Sequence, residues 1–154
     1  MPYNNNPFTD QLAFMQAAGQ SAGAYNDEQL ALYMDLIDEE FTEVVTSTSL
    51  EGFLKELADL LVVTIGALYS TGASPQEVWN AVHESNMSKL TNGALLKRED
   101  GKVLKGPNYK KADLKGLVSR IQGLPEPQII EEPKDADTSG VRPDTNEVDT
   151  SGGC

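Results

Sequence analysis

The segment 50–70 is the strongest constraint on the fold of this chain, because it is apolar around almost the whole circumference of a helix. Its large apolar residues recur at steps of three and four and then spread beyond that face. They are Leu54, Leu57, Leu60, Leu61, Val62, Val63 and Ile65. Such a helix needs cover on every side. We therefore expect a helical bundle whose core is completed by oligomerisation.

Four more helices are predicted around this segment. The first is predicted over 9–18, and the second from Asn26 or Asp27 to a link at 46–49. The other two begin at Ser74 and at Asp113, and the last of them ends at about Ile121. The clearest start is Ser74, because Pro75 and Glu77 follow it as a first-turn proline and a capping-box glutamate. The links are short enough for antiparallel neighbours. The expected fold is all-α, with four to five helices.

A smaller element is expected between the last two helices. Residues 95–104 contain Glu99-Asp100-Gly101, a turn signal between two short extended pieces. The pattern predicts either a small hairpin or a loop in this C-terminal part of the bundle.

The charge distribution divides the chain into a body, 1–124, and an acidic tail, 125–154. The tail has eight acidic and two basic residues, which is half of the overall net charge of −12. A segment this polar cannot bury enough apolar surface to offset its ordering entropy. Asp-Thr-Ser-Gly also occurs twice in it, at 137–140 and 149–152. We predict that the tail is disordered.

Composition excludes several classes of function. The acidic body argues against a nucleic-acid surface, although a nucleotide is compatible if a divalent cation supplies positive charge. Cys154 is the only cysteine, which rules out a disulfide framework or a cysteine zinc site within one chain. No signal peptide, membrane-spanning run or P-loop is visible. We expect a cytoplasmic protein that binds neither membranes nor nucleic acid.

Two predicted helices carry closely spaced acidic side chains. Glu39, Glu40 and Glu43 lie within about one turn, and Glu56 and Asp59 are three residues apart on the next helix. Glu56 and Asp59 also interrupt an apolar helix, where an unpaired buried carboxylate costs several kcal/mol or becomes protonated. A hard dication such as Mg²⁺ would compensate them. Acidic stripes are also common as solvated faces, and the residues alone leave both interpretations open.

The order of these motifs resembles a known superfamily. Glu39-Glu40-x-x-Glu43 followed by Glu56-x-x-Asp59 resembles the signature of the MazG-like, or all-α NTP pyrophosphohydrolase, superfamily. Residues 82–90 and 99–109 resemble the segments that follow it in many phage and bacterial members. The resemblance covers about 30–113, and the acidic tail has no counterpart in it.

The resemblance implies a metal-dependent enzyme that converts a nucleoside triphosphate to the monophosphate and pyrophosphate. It assigns Mg²⁺, for which Mn²⁺ substitutes, to Glu40, Glu43, Glu56 and Asp59. It makes Glu39 a further ligand or the base that orients the attacking water. The residues that it implies for substrate contact are Asn86, Lys89, Lys105, Asn108 and Tyr109.

The substrate and the assembly are further implications of the resemblance. Likeness to phage members, including MazZ-like enzymes, favours dGTP, and a house-cleaning enzyme for dUTP or dCTP is the alternative. A non-catalytic, metal-binding helical oligomer is a hypothesis of another class. The expected partner is a second copy in a homodimer or homotetramer, located in the host cytoplasm if a phage encodes the chain. Trp79 is expected to fill core.

Overall fold

The computed structural model describes residues 5–123, which form five helices and one two-stranded hairpin. In chain order the elements are α1 (Pro7–Ala17), α2 (Asp27–Thr46), α3 (Leu50–Ser70), α4 (Pro75–Met87), β1 (Leu90–Thr91), β2 (Ala94–Leu95) and α5 (Lys115–Ile121). The predicted all-α fold class is confirmed. The predicted tail, 125–154, its disorder and its boundary at 124 lie outside the described residues.

The helices begin where local capping groups allow them to. Asn26 and Ser49 accept hydrogen bonds from backbone N–H groups three residues on, at 3.0 and 3.1 Å. Ser74 caps α4 in the same way, at 3.4 Å. The capping box predicted there is only half formed, because the Glu77 carboxylate binds Arg120 at 2.7 Å. The starts of α2, α3 and α4 were therefore predictable from the sequence.

The two terminal helices differ slightly from prediction. Helix α1 begins at Pro7, two residues early, because the Asn6 side chain accepts the Phe8 N–H and caps it. Helix α5 begins at Lys115, with Leu114 at the N-cap position. Asp113, the predicted cap, precedes the N-cap position by one residue. Its carboxylate accepts a hydrogen bond of 3.0 Å from the Lys115 N–H.

The core lies where α1 and α2 pack on the second half of α3. Its buried cluster contains Met15, Tyr33, Val63 and Ala67. Tyr33 packs directly on the α3 backbone at Gly66, where an added Cβ would lie only 2.1 Å from the tyrosine ring. The antiparallel pair of α2 and α3 is therefore held at a close separation, which fixes how their side chains face each other.

Much of the apolar surface of α3 stays uncovered in the single chain. The exposed fractions are 73% for Leu50, 58% for Leu54 and 52% for Leu61. Phe41 and Val45 on α2 are also more than half exposed. The structure contains one chain, so the expected completion of the core by oligomerisation stays a prediction. None of the helices in the described part is long and apolar enough to cross a membrane.

Two turns with paired flanking residues follow α4, one at the predicted position and an earlier one that was not predicted. Strands β1 and β2 are antiparallel and are joined by Asn92-Gly93, whose φ angles are 51° and 77°. Two consecutive positive φ angles are typical of the type I′ turn, which favours Asn-Gly. At the predicted position, the turn at Glu99–Gly101 is present between two short extended pieces. Arg98 N–H donates to the Lys102 carbonyl at 2.9 Å and Leu104 N–H to the Leu96 carbonyl at 2.8 Å, on either side of an antiparallel bridge between Lys97 and Val103. The prediction missed the stronger of the two turn signals.

Candidate active site

Three acidic side chains converge between α2 and α3. Glu40 and Glu43 project from α2 towards α3, and Glu56 projects from α3 towards α2. One carboxylate oxygen from each lies within 4.8 Å of the others. The convergence follows from the antiparallel pairing, because residues three apart on one helix share a face. Three of the four predicted metal ligands are therefore at one point.

Asp59 and Glu39 lie at the margin of this carboxylate cluster, which we define as Glu40, Glu43 and Glu56. Asp59 lies one turn after Glu56 on α3. Both carboxylates pair with Lys55, whose Nζ lies 2.9 Å from Glu56 Oε2 and 2.7 Å from Asp59 Oδ2. Glu39 is exposed on α2 and does not converge with the cluster. The i,i+4 spacing of Lys55 and Asp59 is the signal in the sequence for this ion pair.

The cluster is short of positive charge. Burial, followed by the negative charge of Asp59, raises the pKa of Glu40. A hydrogen bond with Glu56 is the largest cause that raises the pKa of Glu43. The Glu40 Oε2 atom is buried and has no hydrogen-bond partner among residues 5–123. Buried, unpartnered carboxylate oxygens close to like charges are the donor set that a hard dication satisfies.

Four of the predicted substrate residues form two neighbouring pairs, one at the C-terminal end of α4 and one further along the chain. Lys89 donates to Asn86 at 2.8 Å, and the Lys105 ammonium lies 4.6 Å from the centre of the Tyr109 ring. Gly106, the residue after Lys105, lies close to the backbone of Lys89. A Cβ added to Gly106 would lie 3.2 Å from the Lys89 carbonyl oxygen. The two pairs are therefore neighbours.

The remaining predicted contact is separate from these pairs. Asn108 is exposed, with its side chain towards solvent. Within residues 5–123, no hydrogen bond or ion pair joins Asn108 or either pair to the carboxylate cluster. In residues 5–123 of one chain, therefore, the carboxylates and the predicted phosphate contacts make no direct polar contact with each other.

Trp79 does not fill core as predicted. It is 58% exposed, and its ring stacks on His83 with centroids 6.3 Å apart and an interplanar angle of 9°. Phe8 lies on its other side at 6.4 Å. The prediction was wrong because α4 makes few contacts with α3, so the aromatic face of α4 stays open. The i,i+4 spacing of Trp79 and His83 was the signal for their contact.

Comparison with known proteins places the chain among the pyrophosphohydrolases. The family model described as phosphoribosyl-ATP pyrophosphohydrolase matches residues 11–86, a span that includes both acid-bearing helices. No curated protein matches the chain. The matched family belongs to the MazG-like, all-α NTP pyrophosphohydrolase superfamily, and the all-α fold of the chain is consistent with it. The match supports a nucleotide pyrophosphohydrolase activity in general.

Proposed function

We propose that this protein hydrolyses a nucleoside triphosphate to the monophosphate and pyrophosphate, with Mg²⁺ held by Glu40, Glu43, Glu56 and Asp59. The observation that carries the proposal is the convergence of three carboxylates within 4.8 Å on facing helices. The donor set fits the ion, because Mg²⁺ takes oxygen ligands and the buried Glu40 oxygen lacks a partner. Mn²⁺ accepts the same kind of ligands and is expected to substitute.

When bound, a dication neutralises charge on phosphate oxygens and lowers the pKa of a coordinated water. In the proposed reaction a water oxygen bonds to the α-phosphorus and the bond from that phosphorus to the bridging oxygen breaks. Pyrophosphate leaves with the bond electrons. Glu39, exposed beside the cluster, accepts the proton of the water and passes it to solvent.

The other predicted contacts bind and orient the polyphosphate. Lys89 and Lys105 supply positive charge, and Asn86 and Asn108 supply amide donors. The Tyr109 ring contacts the Lys105 ammonium and orients it by a cation–π interaction. Binding energy from these residues holds the α-phosphorus in line with the attacking water.

We further propose that the working unit is a homodimer or homotetramer in which one copy supplies the lysines and another supplies the carboxylates. Two observations support this arrangement. The apolar surface of α3 is uncovered at Leu50, Leu54 and Leu61. No hydrogen bond or ion pair joins the two groups within residues 5–123 of a single chain. A second copy covering α3 would bury apolar surface and complete the site in one step.

A complementation experiment tests the shared site. Glu43→Gln protein and Lys89→Ala/Lys105→Ala protein, each of low activity alone at a substrate concentration below the wild-type KM, are mixed, unfolded and refolded together. Random pairing makes half of the dimers mixed, each with one intact site, so about one quarter of the wild-type activity should return. If the site lies within one chain, the mixture keeps that low activity.

The base is proposed as guanine in dGTP, and the support is the resemblance of residues 82–90 and 99–109 to phage members. An enzyme for dUTP or dCTP is the alternative. A panel of dNTPs with Mg²⁺, with nucleotide and phosphate products resolved, tests both activity and base. Pyrophosphate release with the highest kcat/KM on dGTP is the expected result, with Glu43→Gln protein as the control.

Other results of the same panel overturn specific parts of the proposal. Release of orthophosphate alone would show that a different bond is cleaved. Preference for dUTP or dCTP would overturn the guanine assignment and keep the reaction. Turnover of no nucleotide would favour the non-catalytic, metal-binding oligomer.

A further inference from the structure

Helix α5 carries an apolar stripe that the other described residues cover only in part. Leu114, Leu117, Val118 and Ile121 follow the i, i+3, i+4, i+7 pattern of one helix face. No residue of α5 is buried, and Val118 is 45% exposed. A seven-residue helix is not stable through its own hydrogen bonds and depends on packing. The stripe therefore needs a cover.

Two grooves meet along this stripe at Leu114 and Val118. The first, of about 890 Å³, is mainly apolar, and Leu68, Val78 and Ile121 are among its lining residues. The second, of about 770 Å³, lies towards the N-terminal end of α5, and its charged lining residues are Lys111, Lys115 and Asp113. A ligand that follows α5 from its C-terminal to its N-terminal end would meet apolar surface first and two lysines next.

The lysines of the second groove belong to a basic segment. Residues 89–123 contain nine basic and three acidic residues, whereas the rest of the chain is acidic. Arg98 pairs with Asp100 and Arg120 pairs with Glu77. The ammonium groups of Lys111 and Lys115 have no carboxylate partner within the described part of the chain. An anionic partner for them must come from elsewhere.

We propose that Ile129-Ile130-Glu131-Glu132, a few residues after α5 in the same chain, binds back along α5. The two isoleucines occupy the apolar groove beside Ile121 and Val118. The two glutamates pair with Lys111 and Lys115. The order of the four residues matches the order of the two grooves when the segment runs antiparallel to α5.

Reach and tethering both support this occupant. Residues 124–128 lie between Gly123 and Ile129 and span up to about 20 Å when extended. Helix α5 is only about 10 Å long, from seven residues at 1.5 Å each. A short tether also gives an effective concentration of about millimolar, so weak contacts suffice for occupancy. The proposal is independent of the catalytic assignment.

Paramagnetic broadening in the full chain tests the contact without any activity assay. A nitroxide is attached at Pro133→Cys in a Cys154→Ser background, and amide signals of residues 114–121 are recorded in ¹⁵N-labelled protein. Strong broadening confined to this stretch is expected. Ile129→Ser/Ile130→Ser in the same background should remove it, and so should Lys111→Glu/Lys115→Glu. Adding Glu131→Lys/Glu132→Lys to the lysine variant should restore it.

A mixing control identifies the chain that supplies the segment. Spin-labelled protein without ¹⁵N is mixed with ¹⁵N-labelled protein that carries no nitroxide. The absence of broadening in the mixture supports docking within one chain. Broadening in the mixture would show that a second copy supplies the segment, and this overturns the proposal. No localised broadening in the spin-labelled ¹⁵N protein would also overturn it.

Discussion

The Lys55 ammonium donates a hydrogen bond of 2.7 Å to the carboxylate of Asp59, one turn further along α3. Lys55 is the only lysine or arginine before Lys89 in the sequence. It also binds Glu56, and its hydrogen bond to Asp59 is the largest cause that raises the pKa of its ammonium. The one cation near the cluster therefore engages two of the four proposed metal ligands.

We expect Lys55→Met to strengthen Mg²⁺ binding. The substitution removes a positive charge that competes for Glu56 and Asp59 and repels the ion. The Mg²⁺ concentration for half-maximal thermal stabilisation should fall by about threefold to tenfold, which corresponds to roughly 1 kcal/mol of charge interaction near a protein surface. Lys97→Met, at an exposed position in another segment, is the matched control and should change nothing. A weaker response to Mg²⁺ in Lys55→Met would contradict competition.

Glu43→Gln and Asp59→Asn should each reduce pyrophosphate release by at least about a hundredfold, the usual scale for losing a group that stabilises charge in the transition state. Both substitutions keep size and helix propensity, so far-UV circular dichroism should be unchanged. Glu51→Gln, in the first turn of α3 and outside the cluster, is the matched control. Full activity in both site variants would refute the ligand assignment.

The pH dependence of Mg²⁺ binding has a defined sign. Glu40 and Glu43 have folded-state pKa values raised above the ordinary 4.5. The metal-free fold therefore holds these protons more tightly than the unfolded chain. Their contribution to stability is present below pH 4.5 and is lost as the pH rises through the raised pKa values.

Mg²⁺ binding has the opposite trend, because it needs the deprotonated carboxylates. The gain in Tm on adding Mg²⁺ should therefore grow as the pH is raised from about 4.5 towards 7. Thermal unfolding with Mg²⁺ and with a chelator, at each pH, measures the difference. In the Glu40→Gln/Glu43→Gln protein the gain should be small at every pH. A gain in the unsubstituted protein that is constant with pH would exclude these carboxylates as ligands.

Lys89→Ala and Lys105→Ala should weaken substrate binding more than the chemical step. Each removes one charge from the proposed phosphate contacts, which predicts a KM higher by roughly threefold to thirtyfold, from about 1–2 kcal/mol per charged hydrogen bond. Steady-state kinetics separates KM from kcat. Lys102→Ala, an exposed lysine of the same basic segment, serves as the control. Equal effects in all three variants would mean that only the overall charge matters.

Gly66→Ala should destabilise the protein, although alanine normally favours a helix. The new methyl group would lie 2.1 Å from the buried Tyr33 ring, and forcing such a group into a packed core costs about 1–3 kcal/mol. Gly52→Ala, near the start of the same helix, meets mainly the Ser47 and Ser49 hydroxyls and should cost less. Urea unfolding of both variants gives the comparison, and equal stabilities would show that Tyr33 moves aside.

The parts of the fold that the sequence predicted are those set by neighbouring residues. Asn26, Ser49 and Ser74 cap their helices through hydrogen bonds to N–H groups three residues on, so the signal is complete within a few positions. The Asn92-Gly93 turn is equally local, because its two residues alone predict a type I′ turn, although it was not among the predicted turns.

The parts that were not predictable depend on contacts between distant segments. The exposure of Trp79 follows from how little α4 packs on α3, which its own periodicity does not encode. The convergence of Glu40, Glu43 and Glu56 required the facing of two helices, and the pattern of acids indicated it only through a family resemblance. The position of Asp59 beside the cluster follows from its ion pair with Lys55.

The close succession of α2 and α3 has a consequence for how the molecule folds. Their link is only three residues, 47–49, so little loop-closure entropy opposes their pairing. Low contact order of this kind favours early formation of the helix pair. We therefore expect the chain to bring its carboxylates together before the rest of the bundle has formed. A dication that relieves their repulsion should accelerate folding as well as slow unfolding.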